Sequence, residues 1–120
     1  MKKSVFMLLF FIAYNSFSQE VNSQYKRVYE FDVYHKDWAL VKTVANTFGF
    51  INKEIKEIVP AIYSKIYPFD KKENKRAYAL VKNVAGAFGF IDENGKQVIK
   101  AIYWKKEEAI QQLNIFLNGL

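Results

Sequence analysis

The tetrapeptide Phe48-Gly49-Phe50-Ile51 (FGFI) occurs again, forty residues later, as Phe88-Gly89-Phe90-Ile91. In an extended strand the two phenylalanines of each copy point to one face, and the glycine and the isoleucine point to the other. Glycine inside a strand costs stability, and it usually marks a bulge or a close approach of another backbone segment. We therefore interpret FGFI as a packing device between adjacent hairpins. An aromatic ligand groove is the functional alternative.

The similarity around FGFI extends through most of the chain. Residues 39–66 and 79–106 are identical at 15 of 28 positions without a gap. At an offset of 38, residues 25–32 also match residues 63–70. Internal repetition of this kind indicates a repeat architecture, in which each unit buries its apolar face against its neighbour.

Short apolar runs rich in Val, Ile, Phe and Tyr alternate with turn signals through both units, a pattern typical of β-strands. Asn94-Gly95 predicts a tight hairpin, because both residue types accept positive φ. Asn46 and Gly86 occupy equivalent turn positions for the same reason. Ile55 replaces the turn glycine of the first unit, and since a β-branched residue resists positive φ, we expect another turn type there. The sequence therefore predicts a mostly β fold of antiparallel hairpin repeats.

The apolar period changes from strand to helix after Trp104. At a period of about 3.6 residues, one helical face collects Ala109, Ile110, Leu113, Phe116 and Leu117. A β-repeat array ends in an unpaired strand edge and half-covered apolar surface, so it requires a terminal cap. We therefore predict a helix over about residues 106–118 that ends near Gly119 and caps the last hairpin. A partner-binding or dimerisation helix is the alternative.

The N-terminus has the pattern of a secretory signal peptide. Lys2 and Lys3 precede an apolar run over residues 5–13, and the small residues Ser16 and Ser18 follow it. This pattern predicts cleavage after Ser18 and export to the periplasm or the cell exterior. The run is about half as long as the roughly 20 apolar residues of a membrane span, so no transmembrane segment is predicted.

These observations predict five segments along the chain. They are a signal peptide (residues 1–18), an N-terminal linker (19–24), a first repeat unit (25–62), a second repeat unit (63–102), and a partial third repeat followed by the C-terminal helix (103–120).

The net charge is mildly positive. It is +6 for the full chain, and without Lys2 and Lys3 the 16 basic and 12 acidic residues leave +4. The densest charged run, residues 70–76, carries charges of both signs, so we interpret it as a solvated loop. Contact with an acidic polymer or an anionic membrane surface is the alternative. Export makes nucleic acid an unexpected partner. The chain has no cysteine, so its stability must come from packing.

The repeat resembles that of the bacterial WG-repeat family. The resemblance lies in Ala79-Leu80-Val81, in FGFI followed by Asp92, in Gly95-Lys96, in Val98-Ile99 and in Tyr103, which occur in the family's order. Phe48 and Phe88 stand where the family has tryptophan, and Ile55 interrupts the first Gly-Lys pair. The resemblance covers about residues 25–104. It implies short β-hairpin repeats, frequent export, and no established common activity or catalytic residue.

Few residues in the chain suggest catalysis. The single histidine, His35, lies near Asp32 in a predicted loop and lacks the three or four ligands that a metal site requires. Asp32 and Asp70 each follow a phenylalanine, where turn initiation by the side chain explains them. The chain contains neither a serine in a nucleophile elbow nor a glycine-rich phosphate loop. We therefore predict no catalytic residue, no metal and no cofactor.

Three hypotheses for function follow. The leading one is a non-enzymatic repeat module that binds a protein at the cell envelope. The second is a carbohydrate-binding module in which exposed Trp38 and Trp104 stack on envelope glycans, since exposed tryptophans suit both protein hot spots and sugar rings. The third is a hydrolase that uses Asp32, His35 and Asp70.

Overall fold

The computed structural model describes residues 24–72 and 75–119, so the predicted signal peptide and its cleavage site lie outside the described residues. The described elements are β1 Arg27–Phe31, β2 Trp38–Lys42, β3 Phe48–Asn52, β4 Glu57–Lys71, β5 Ala77–Asn83, β6 Phe88–Ile91, β7 Gln97–Tyr103 and α1 Lys106–Asn118. Within this part of the chain, no helix has the length and apolar character that crossing a membrane requires.

All seven strands form one antiparallel sheet, in which each strand pairs with the next along the chain. Each unit has a central hairpin, β2–β3 in unit one and β5–β6 in unit two. Strand β4 serves both units, because its first half pairs with β3 and its second half pairs with β5. The predicted mostly β fold of hairpin repeats with a C-terminal helix is confirmed.

Strand β4 carries a bulge just before the predicted boundary between the units. Between its pairs with Phe50 and Phe48 of β3, it advances by four residues, from Val59 to Tyr63, while β3 spans two. Two extra residues on one strand bend it and increase its local twist. The bulge therefore gives β4 a point at which it can change direction.

Contacts beyond the bulge show that β4 turns back. The ring of Phe69, near the end of β4, lies 5.7 Å from the ring of Trp38. Trp38 pairs with Asn52, beside the turn that leads into β4. The second half of β4 therefore returns alongside unit one, and the two units stack face to face.

The core consists of three layers. The middle layer lies between the units and contains Trp38, Leu40, Phe50 and Val59 from unit one, with Tyr63, Ile66, Ala79, Val81 and Ile91 from unit two. The second layer lies between unit two and α1 and contains Tyr78, Phe88, Phe90, Ile99, Ala109 and Leu113. The third lies on the other face of unit one and contains Tyr25, Ala39, Val41 and Ile51. Helix α1 thus occupies the place of a third repeat unit.

The glycines of FGFI lie where another backbone segment approaches closely. A Cβ atom on Gly49 would lie 2.7 Å from the backbone nitrogen and Cα of Ala61, and closer still to the carbonyl oxygen of Val59. Gly89 faces the equivalent backbone atoms around Ala101. The neighbour is the bulged backbone of the next strand and not an aromatic ring. The aromatic side chains of FGFI fill the layers on either side of this approach.

The turns of the two units are closer in geometry than the sequence suggests. Ile55 has a positive φ of 62°, and Gly95 has one of 84°. The amide N–H of each donates to the carbonyl oxygen three residues earlier, at 3.0 and 3.1 Å. The expectation of another turn type at Ile55 is therefore wrong. Asn52 Oδ1 accepts two further backbone N–H groups of this turn, both at 2.9 Å, which stabilise it against the strain. Asn46 and Gly86 have the predicted positive φ, 65° and 96°.

Helix α1 covers the residues predicted for it and packs on β6 and β7. Ala109 and Leu113 are fully buried in the contact. Ile110, which was expected on the buried face, is instead exposed to solvent. Gly119 follows the helix with an ordinary φ of −90°, so its conformational freedom is not used.

Candidate functional site

The two tryptophans predicted to form an exposed surface have different environments. Trp38 is only 6% exposed, and its ring contacts those of His35 at 4.4 Å, Phe50 at 5.2 Å and Phe69 at 5.7 Å. The expectation that Trp38 is exposed is therefore wrong, because the stacked second unit covers it. Trp104, in contrast, is 67% exposed and remains a candidate interaction residue.

The residues of the hydrolase hypothesis have structural partners. Asp32 Oδ1 accepts the backbone N–H of Asp37 at 2.6 Å and so closes the loop between β1 and β2. Asp70 Oδ2 lies 3.2 Å from Lys72 Nζ. His35 lies in the loop between β1 and β2, as predicted, but its side chain is half-buried against Trp38. The part of the chain that the structure describes holds no group of three potential metal ligands.

An open groove lies on the face of unit one, and we call it the unit-one groove. Its volume is about 600 Å³. A smaller cavity of about 300 Å³ adjoins it and shares Tyr34, Leu40 and Phe48. The residues that line the two are Arg27, Val28, Tyr29, Glu30, Val33, Tyr34, Leu40 and Phe48 of unit one, and Ser64, Lys65 and Ile66 of unit two.

Cationic side chains lie against the aromatic rings of the groove. The guanidinium of Arg27 lies 4.2 Å from the ring centroid of Tyr29. Lys42 Nζ lies 5.7 Å from the ring centroid of Phe48. Such cation–π contacts hold long side chains in place and leave their charge available to solvent. The groove therefore offers apolar and aromatic surface beside fixed positive charge.

The equivalent surface of unit two is covered by α1. Tyr29, Leu40 and Phe48 correspond to Tyr67, Leu80 and Phe88, and these three pack in the layer that contains Ala109 and Leu113. The cation–π pair recurs as well, since Lys65 Nζ lies 4.4 Å from the ring centroid of Tyr67. One surface thus occurs twice in the molecule. In unit two α1 covers it, and in unit one the stacked second unit covers it except along the groove.

The first tyrosine of each unit is buried and lies near a polar side chain of the same unit. Gln97 Nε2 donates to the phenol oxygen of Tyr63 at 2.8 Å. Burial raises the pKa of Tyr63 above its usual 10.0, and the hydrogen bond from Gln97 partly opposes this rise. Burial also raises the pKa of Tyr25, and the negative charge of Glu57 adds to the effect. Glu57 and Gln97 are equivalent positions, so each unit places a polar side chain near its first tyrosine.

Sequence reasoning did not identify the groove. Arg27 and Tyr29 are visible in the sequence only as matches of Lys65 and Tyr67 at an offset of 38. The signal in the sequence that could have identified the groove is therefore an aromatic residue two positions after a basic one, which is present in both units. Whether the surface is covered or open depends on the stacking of the units and on α1.

The fold and the groove define a class of protein: an antiparallel β-repeat module with stacked units, a helical cap and an open groove on unit one. Residues 48–83 and 88–103 match the family model of the WG containing repeat, so the chain is a WG-repeat containing protein. No curated protein and no solved structure matches it.

Proposed function

We propose that the protein is an exported, non-enzymatic β-repeat module that binds another protein at the cell envelope through the unit-one groove. The observation that supports this proposal is the difference between the units. The tyrosine, leucine and phenylalanine that α1 covers in unit two have counterparts in unit one that the second unit covers only in part, and these counterparts line an open groove. In unit two this surface takes the apolar face of an amphipathic helix, a common mode of peptide recognition.

The charges around the groove favour an acidic partner segment. Arg27 lines the groove, Lys65 lines the adjoining cavity, and Glu30 is the single acidic residue in the two linings. Complementary charge steers association and fixes the orientation of the bound segment. The partner segment is therefore amphipathic, with leucine or aromatic side chains beside aspartate or glutamate.

The contacts of the three residues of the hydrolase hypothesis support the non-enzymatic part of the proposal. Asp32 closes a loop, Asp70 lies beside a lysine, and His35 packs on Trp38 with its Nε2 3.6 Å from Glu93 Oε2. These contacts give each residue a structural role. We expect Asp32→Asn, His35→Ala and Asp70→Asn each to retain partner binding.

A carbohydrate-binding module is the alternative, and the exposed Trp104 favours it. Its indole face is available for stacking on a sugar ring. Trp38 is buried, so it cannot contribute to a glycan site. A glycan site would therefore depend on Trp104, whereas the protein site depends on the groove.

A site-specific cross-link tests the proposal. A photoreactive phenylalanine analogue replaces Tyr29 in the groove, and in the control it replaces the exposed Lys96, which lies outside the lining. After irradiation in an envelope extract, we expect one protein to cross-link from position 29 and not from position 96.

Arg27→Glu with Lys65→Glu should abolish the product, while Lys56→Glu with Lys96→Glu, which changes the net charge equally, should not. Equal cross-linking from both positions would contradict the groove. Glycan binding lost in Trp104→Ala, with no groove-dependent protein, would favour the alternative.

Export rests on the N-terminal sequence pattern, and the mass of the exported protein tests it separately. Cleavage after Ser18 gives a mature chain that begins at Gln19. Retention of residues 1–18 on the protein recovered outside the cytoplasm would contradict the predicted cleavage.

A further inference from the structure

The strands of the two stacked units share a common end, which we call the basic end. It is formed by residues 42–47, 62–65, 82–87 and 102–106. Side chains join these segments directly: Thr47 Oγ1 donates to the carbonyl oxygen of Ala61 at 2.7 Å, and Ser64 Oγ donates to that of Asn83 at 3.0 Å. The opposite end carries the loop after β1 and the turn after β6, which contact each other.

Large apolar side chains are exposed at the basic end in equivalent positions of both units. Val44 and Val84, in the turns after β2 and β5, are 82% and 72% exposed. Ile62 and Ile102, at the bend of β4 and the end of β7, are each more than half exposed, and Trp104 follows them. The register of β4 and β5 places Ile62 beside Val84. Single exposed apolar residues are ordinary, but five at one end of a small domain mark an interaction surface.

The charge at this end has one sign. The four segments contain Lys42, Lys65, Lys82, Lys105 and Lys106 and no acidic residue. Lys26 adjoins them, because its backbone N–H donates to the carbonyl oxygen of Lys42 at 2.7 Å. Glu107 and Glu108 follow the last segment directly and lie in the first turn of α1.

The acidic residues of the strands and turns are distributed differently. At the opposite end, acidic residues form ion pairs: Lys53 Nζ approaches Asp32 at 3.8 Å and Asp37 at 3.3 Å. Although the net charge of the domain is small, the charged residues are distributed unequally between its two ends. One end is basic and apolar, and the other is mixed in charge.

We propose that the basic end docks on an anionic lipid bilayer. The exposed valines lie in two separate turns, and a deformable interface accommodates such separated side chains more readily than a rigid protein surface does. Tryptophan favours the depth of the lipid headgroups, and lysine side chains extend from an apolar surface to reach anionic headgroups. Basic residues beside exposed apolar residues are the combination by which peripheral proteins bind such membranes. Ser64 and Lys65 belong both to this surface and to the cavity that adjoins the unit-one groove. The exposed valines, Trp104, Lys26 and Lys105 lie outside both linings, so the inference does not depend on the proposed function.

Vesicle binding tests the proposal with two variants of equal charge. Lys26→Glu with Lys105→Glu changes the basic end, and Lys56→Glu with Lys96→Glu makes the same change in net charge elsewhere; all four lysines are exposed. We expect the wild-type protein to float with vesicles of phosphatidylglycerol and phosphatidylethanolamine. We expect the first variant to bind them more than about tenfold more weakly, since each lysine near an anionic surface contributes substantially to binding. The second should bind within about twofold of the wild type, because its substitutions lie away from the basic end and change only the net charge.

Tryptophan fluorescence and a second substitution report on the depth of docking. We expect a blue shift on anionic vesicles that is absent in Trp104→Phe, because Trp38 is already buried. Val44→Ser with Val84→Ser should weaken vesicle binding while leaving the melting temperature unchanged, since both side chains are solvent-exposed. All variants carry the same N-terminus, so differences between them report on the basic end. Equal weakening by the two charge variants, equal binding to phosphatidylcholine vesicles, or binding to soluble polyglutamate without binding to vesicles would overturn the proposal.

Discussion

At the scale of single residues, the two FGFI glycines make the repeat possible. Each lies against the bulged backbone of the next strand, so a side chain at this position would push that strand away. We predict that Gly89→Val destabilises the fold by about 3 kcal/mol, the upper part of the range for overpacking. Gly86→Ala is the control, because a Cβ there meets no atom within 4 Å and the change carries only the strain of positive φ, about 1 kcal/mol. Denaturant unfolding measures both, and equal stability of Gly89→Val and the wild type would contradict the close approach.

The buried Tyr63 makes stability depend on alkaline pH. Burial raises its pKa in the folded state above the value of 10.0 that it has in the unfolded chain. Above about pH 10 the unfolded chain therefore holds fewer protons, and its ionised phenol favours unfolding. The stabilising contribution is present below pH 10 and is lost as the pH rises through the folded-state pKa. In Tyr63→Phe we expect lower stability at pH 8, because the bond from Gln97 is lost, but a smaller decline between pH 9 and 11. Parallel declines in the two proteins would show that Tyr63 does not contribute.

Ile55 shows where residue-level prediction fails. The left-handed conformation is unfavourable for isoleucine, so the sequence predicted another turn type. In the structure Asn52 accepts two backbone N–H groups of the turn, and the Ile55 side chain packs in the third layer of the core. Hydrogen bonding and tertiary packing therefore outweigh the backbone preference of isoleucine. At Gly95 a residue with a side chain could not take the place of glycine, because its Cβ would press on Ile58.

At the scale of elements, α1 closes the second core layer. Leu113 is fully buried against unit two, while Ile115, two residues later on the same helix, is 58% exposed. We predict that Leu113→Ala lowers the free energy of unfolding by about 2–5 kcal/mol, as for other buried leucines. Ile115→Ala should change it by less than about 0.5 kcal/mol, as is usual for surface positions. Equal melting temperatures of the two variants would contradict a capping helix and favour the alternative of a partner-binding one.

The elements themselves could be predicted from the sequence, and their mutual packing could not. Strand alternation, turn residues and the helical period are local signals, and they gave the hairpins and the bounds of α1. The reversal of β4 depends on a bulge opposite Phe48 and Phe50 and on contacts between residues far apart in the chain. The burial of Trp38 and the open groove both follow from that reversal. This explains why one predicted tryptophan is buried and why Arg27 and Tyr29 were not singled out.

At the scale of the whole molecule, the two repeat units differ in the element that packs on their apolar surface, and the proposed function depends on this difference. Unit two covers most of the apolar surface of unit one and leaves a groove along it, whereas α1 covers the equivalent surface of unit two. The shared end of the strands collects lysines and exposed apolar side chains. Both proposals therefore require that the units lie face to face and not side by side along a straight β4.

A nuclear Overhauser measurement tests this stacking most directly. In the stacked arrangement a Cβ on Gly95 would lie 2.8 Å from Ile58 Cγ2, and the rings of Phe69 and Trp38 are 5.7 Å apart. We predict strong cross-peaks between the Gly95 Hα protons and the Ile58 methyl group, together with cross-peaks between the Phe69 and Trp38 rings. A well-resolved spectrum in which both sets are missing, while the contacts within each hairpin are present, would contradict the stacked repeats.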